Sequence, residues 1–181
     1  MISEKLEKAL NDQINAEIYS AYLYLSMSAF TERAALKGTA NWLYVQSREE
    51  MAHAIHMYQY VLDRGANPSF ADIHAPLALF KGVEDVFEKV LEHEQKVTAG
   101  LNSIATLAMQ ESDHACYQFI MWYVNEQVEE ESNDGDILSK LKMIDGDKGL
   151  LLNLDSVLGT RIYVNPFPTD SKLNGTAPAL G

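Results

Sequence analysis

The sequence predicts an all-α protein: a four-helix bundle with a long crossover between its second and third helices and a short fifth helix near the C-terminus. Three observations carry that reading. Five prolines and ten glycines among 181 residues cluster near 65–76, 133–149 and 159–181, which leaves four long stretches poor in helix breakers. Each stretch carries an apolar stripe spaced alternately by three and four residues, the seam spacing of a bundled helix. Each seam is interrupted near mid-length by an acid or an amide, and the interruptions repeat. Glu17 to Glu50 is 33 residues and so is Glu94 to Gln127; the two halves are offset by 77, which also maps Glu49 onto Glu126 and His53 onto Glu130. The chain reads as two copies of one helical hairpin.

Ser3, a good N-cap followed by Glu4 in the first turn, opens a helix that runs to about Arg33 on the seam Leu10, Ile14, Glu17, Ala21, Tyr24, Ser28. Gly38 and Thr39 restart the chain. The second helix carries Leu43, Gln46, Glu50, His53, Met57 and Tyr60 and stops at Asp63-Arg64-Gly65, with Pro68 beyond. The short loop between these helices makes them antiparallel neighbours. Residues 65–81 hold Pro68, Pro76, Phe70, Ile73, Leu77, Leu79 and Phe80, too long and too apolar for a turn. Such a segment crosses the length of a bundle, and the third helix is expected to start at the end where the first one starts.

The third helix, Gly82 to Gln110, has the cleanest seam (Val83, Phe87, Val90, Glu94, Val97, Leu101, Ile104, Ala108), with Glu94 its only polar member. The fourth begins at Asp113 and reads Cys116, Ile120, Tyr123, Gln127, Glu130, Asp134, Ile137, Leu141, Ile144; a bend is expected at Asn133-Asp134-Gly135-Asp136, where helix propensity is low. Asp147 caps a fifth helix, Lys148 to Leu158, closed by Gly159. Its leucines lie on most sides, which predicts burial between subunits. Residues 1–160 form the expected domain. The tail, 161–181, has linker-like composition and is assigned no function.

A chain that is 47% apolar and 22% charged has a globular composition. It has no apolar run of about 18 residues and no signal-peptide core at its start, so a soluble cytoplasmic protein is expected. The single cysteine, Cys116, excludes an intrachain disulfide and is read as a small core residue. A formal charge of -12 disfavours nucleic acid and anionic membrane as partners and favours cations.

Each polar interruption lies about 12 to 15 residues from the start of its helix, which at about 1.5 Å per residue places all of them near mid-height. One layer then holds Glu17, Glu50, Glu94 and Glu130 with His53 and Gln127. Glu50 and His53 are three apart, hence on one helix face. Burying an unpartnered ion costs several kcal/mol, and the seams offer no Lys or Arg. Four carboxylates carry about -4, which two divalent cations neutralise, and an oxygen-and-imidazole donor set suits iron or manganese. The alternative is a hydrogen-bonded network of partly protonated carboxyls that fixes helix register.

Glu17, Glu50-x-x-His53, Glu94 and Gln127-x-x-Glu130 on four helices, with the crossover and the apolar fifth helix, resemble the non-haem prokaryotic ferritins over about residues 1–165. The resemblance implies that Glu17, Glu50 and His53 hold one ferroxidase iron and that Glu94, Glu130 and the bridging Glu50 hold the second, with Gln127 as the nearby amide. It implies a third iron site at Glu49, Glu126 and Glu129 with Glu130, and gives Tyr24 the place of the tyrosine beside the di-iron centre. It also implies a homo-oligomeric shell of 24 subunits that oxidises Fe(II) with dioxygen or peroxide and stores ferric mineral. Because the second motif is Gln127-x-x-Glu130, one metal is held almost wholly by oxygen. That favours iron as passing substrate, led to the cavity by Glu49, Glu126 and Glu129.

Other readings remain beside it. Bacterioferritins carry a second Glu-x-x-His and bind haem through a methionine at the position of Met51, here read as packing. A rubrerythrin would need a Cys-x-x-Cys domain, starvation-type mini-ferritins lack the fifth helix, and another di-iron oxidase or a non-catalytic helical scaffold could share the topology. His56, His93 and His114 are expected to be solvated, His74 to lie in the crossover, and Trp42 and Trp122 to be core or interface residues.

Overall fold

The computed structural model describes residues 2–167 and contains five helices: α1 (Glu4–Arg33), α2 (Lys37–Asp63), α3 (Val83–Gln110), α4 (His114–Ile144) and α5 (Lys148–Leu158). The capping residues explain the boundaries. Ser3 Oγ accepts from the Leu6 amide at 3.2 Å, Asp113 Oδ1 from Cys116 at 2.9 Å, and Asp147 Oδ1 from Gly149 and Leu150 at 2.8 and 3.0 Å. α4 continues as helix through Asn133–Asp136 in spite of the low helix propensity there. Packing on the flanking turns outweighs the weak local propensity there.

The crossover climbs along α1. Asn11 pairs with Asn67 and Ser69, Asn15 with Ser69 and Ala71, Ser26 with Leu77, and Phe30 packs edge-on against Phe80. α3 therefore starts beside the end of α1, where Val86 and Phe87 meet Leu23, Tyr24 and Met27. This corrects the expectation that it starts where α1 starts. A full-length crossover leaves from the end of α2, which already lies beside the start of α1, so it delivers the chain to the opposite end. Mid-height is unaffected by that reversal.

α2 has no local side-chain cap. Asp155 of α5 supplies one from across the chain, accepting from the Gly38 and Thr39 amides at 3.0 and 2.7 Å and from Thr39 Oγ1 at 2.8 Å. A Cβ at Gly38 would lie 1.7 Å from the Asp155 carbonyl oxygen, so only glycine permits this approach. On the single chain Leu150, Leu152 and Val157 of α5 stay exposed.

Candidate metal centre

Two apolar cores fill the bundle. Leu6, Leu10, Met57, Leu101, Ile104, Cys116 and Ile120 pack near one end, and Tyr24, Met27, Leu43, Phe87, Val90 and Leu141 near the other. Between them lies the layer of Glu17, Glu50, His53, Glu94, Gln127 and Glu130, none more than 5% exposed. Helical periodicity explains the placement: each residue takes one step of its helix's seam, so its side chain points inward where a core residue otherwise would.

Glu17, Glu50 and His53 converge. One ligand atom from each lies within 4.8 Å of the others, the one such trio among the described residues. His53 Nδ1 stands 3.6 Å from Glu50 Oε2, too far for a hydrogen bond. Gln13 Nε2 donates to Glu17 Oε1 at 2.8 Å, while Glu17 Oε2 and His53 Nε2 are buried with no hydrogen-bond partner. Buried polar atoms without partners are costly, and two of them within one converging trio of ligand residues suit a cation.

The other half of the layer is closed by hydrogen bonds. Glu94 accepts from the Tyr24 hydroxyl and, at 2.8 Å, from Gln127 Nε2; Glu130 Oε2 accepts from Gln46 Nε2 at 2.9 Å. Electrostatics joins the halves. Burial, then the charge of Glu50, raises the Glu17 carboxyl well above its ordinary range, and burial, then Glu94, does the same to Glu50. Burial, then Glu94, pushes Glu130 up to about 7. Tyr24 is raised by burial and by Glu94 beside it. Burial is the largest cause of each of these shifts and neighbouring carboxylates add to it, while the charge of Arg161 partly offsets the rise at Glu130.

Glu49 and Glu126 are partly buried and Glu129 is exposed. Together with His53, Glu130 and Asn133 they line a hollow of about 240 Å³ that opens from the layer. Met51 sits on the outer face of the bundle, 39% exposed, in an apolar hollow with Ile18, Tyr22, Leu25, Tyr44 and Ile73.

The sequence reading missed several participants. Gln13 and Gln46 hold Glu17 and Glu130, and helical spacing could have found both, since Gln13 is one turn from Glu17 and Gln46 is itself on the α2 seam. Asp134, one turn beyond Glu130, is fully buried with both carboxylate oxygens unpartnered, and burial with the charges of Glu94 and Glu130 pushes it up to about 9. Arg161 Nη2 reaches Glu49 Oε2 at 2.5 Å from a tail that had been assigned no role. Two histidines expected in solvent are half-buried instead. His93 Nε2 pairs with Ser20 Oγ at 2.7 Å, and His56 Nδ1 with the Tyr123 hydroxyl at 2.7 Å. Each finds a partner on a neighbouring helix, which seam position alone does not reveal. His114 and His74 are exposed.

The ferritin-like domain family profile matches residues 7–144, most of the chain. The chain belongs to the ferritin family. Among curated ferritins, it is 42% identical over 161 residues to the bacterial non-heme ferritin of Bacteroides fragilis, covering 89% of this chain and all of that one. It is 39% identical over 160 residues to a probable bacterial non-heme ferritin-like protein of Haemophilus influenzae, covering 88% and 96% of the two chains. Among solved ferritins, an open pore ferritin from the archaeon Archaeoglobus fulgidus superposes with a TM-score of 0.89 at 47% identity, covering 90% of this chain and all of that one.

Proposed function

We propose that this ferritin is an iron-storage ferroxidase. Fe(II) is the substrate, taken up at the buried layer and oxidised there by dioxygen or peroxide, and the ferric product passes to a mineral inside a hollow shell of 24 copies. The observation that carries this reading is the convergence of Glu17, Glu50 and His53, with Glu17 Oε2 and His53 Nε2 buried and unpartnered. Three oxygen and nitrogen donors at that spacing accommodate one iron, and in this reading Glu50, whose carboxyl feels the charges of Glu94 and Glu130, shares a second iron with them. Two Fe(II) give one electron each to dioxygen, which with two protons reaches the level of hydrogen peroxide.

Tyr24 and Gln127 hold Glu94 toward the layer before iron enters, so they orient a ligand of the second iron. Glu49, Glu126 and Glu129 then form the acidic way out of the layer, the third iron site of this reading. The exposed leucines of α5 support the shell, since in a single chain they have nothing to cover them.

Fe(II) added anaerobically to the apo-protein, followed by air, tests the proposal through ferric absorbance. The parent is expected to oxidise iron much faster than buffer at two iron per subunit and to keep growing soluble mineral at high loading. Glu50→Ala is expected to fall on the order of 100-fold. Parent oxidation at the buffer rate would refute the ferroxidase.

A further inference from the structure

The segment after α5 is a fitted strap over the acidic way out of the layer. Asn41 Nδ2 donates to the Arg161 carbonyl at 2.8 Å, at the start of α2. Farther along α2 the Arg48 guanidinium lies 3.8 Å over the Tyr163 ring. Phe167, 8% exposed, stacks on His56 at 3.7 Å and packs 4.6 Å from Trp122, its ring 6.0 Å from that of His53. From Gly159 to Phe167 the chain therefore follows α2 past the metal layer. Arg161, Val164 and Pro166 roof the hollow whose floor is His53 and Glu130 and whose walls are Glu49, Glu126, Glu129 and Asn133.

One cation sits in that hollow. The Arg161 guanidinium lies 4.6 Å over the Trp42 ring and pairs with Glu49 at 2.5 Å, with both side chains largely shielded from water at 26% and 15% exposure. Burial raises the Glu49 and Glu126 carboxyls while Arg161 counteracts the rise at both, so its charge reaches across the hollow. A metal ion that takes Glu49 as a ligand must displace a guanidinium already bound to it.

We propose that residues 159–167 are a latch on the third site, and that Arg161 is an intramolecular cation that competes with metal for Glu49. Metal arriving in the hollow frees Arg161 from Glu49 and Trp42 and loosens the strap; with the hollow empty, Arg161 closes it. The proposal rests on the reading of Glu49, Glu126 and Glu129 as a metal site.

Two readouts test it on the full-length apo-protein with Zn(II), which does no redox chemistry. In calorimetric titration, Arg161→Gln, which removes the charge and leaves a shorter polar side chain, is expected to tighten the weakest class of Zn(II) sites about tenfold. Arg161→Lys is expected to lie near the parent. In a Trp122→Phe background, where Trp42 is the one tryptophan left of two, Zn(II) filling that class is expected to change Trp42 emission, and Arg161→Gln to abolish the change. Unaltered affinity in Arg161→Gln, while Glu126→Ala with Glu129→Ala still removes one zinc per subunit, would overturn the latch. Loss of no zinc in that double variant would overturn the underlying third site instead.

Discussion

The two hairpins put different chemistry at equivalent places. In the first, Glu17, Glu50 and His53 face one another, with Glu17 Oε2 and His53 Nε2 left unpartnered. In the second, Glu94, Gln127 and Glu130 occupy the matching positions but are tied by Tyr24, Gln127 and Gln46. The difference follows from two residue changes across the repeat: Glu50 becomes Gln127, whose amide donates to Glu94, and His53 becomes Glu130, which accepts from Gln46. An amide donates to a neighbouring carboxylate at any pH, whereas a second carboxylate repels it unless one of the two is protonated. The first copy waits for a cation and the second partly supplies itself, so the two irons of the proposed centre are held with unequal grip.

The largest effect should come from removing a donor on the open side. His53→Ala is expected to lose one tightly bound metal per subunit and about 100-fold or more in oxidation rate. Gln127→Ala on the tied side should keep the metal count and lose about tenfold or less, as an orienting residue does. Equal losses in metal titration and single-turnover kinetics would erase the asymmetry.

Stability sharpens the comparison next. Asp134 belongs to the tied side but has no hydrogen-bond partner of its own. Asp134→Leu should therefore stabilise the apo-protein by about 1–3 kcal/mol in chemical denaturation. Destabilisation would show that its carboxylate is satisfied in solution.

The smallest effect is a pH dependence. Folded-state values raised above the ordinary carboxylate range, to about 7 for Glu130 and about 9 for Asp134, mean that the folded apo-protein binds more protons than the unfolded chain. Their contribution is full below about pH 4 and is lost as pH rises through the folded values, so the apo-protein should melt progressively lower from about pH 5 to about pH 9. Zn(II) should flatten or reverse that slope, because metal needs the deprotonated ligands. A flat apo profile would count against raised values for Glu130 and Asp134.

Much of this molecule was legible from one dimension because helical periodicity ties sequence position to direction and height. The seams placed Glu17, Glu50, His53, Glu94, Gln127 and Glu130 inward, and the offset of 77 brought them to one level without knowledge of which way each helix runs. That independence is why reversing the expected direction of α3 left the layer intact. The caps at Ser3, Asp113 and Asp147 were legible for a similar reason, since a cap acts within one turn. Tertiary structure alone decided which carboxylates are tied and which are free, since Tyr24 reaches Glu94 and Gln46 reaches Glu130 across helices 70 and 84 residues apart in sequence. It alone brought Asp155 to the start of α2, and Arg161 to Glu49 across 112 residues. Periodicity reports a residue's direction within its own helix; what it meets there depends on how the elements are docked, and a tail without periodicity reports neither.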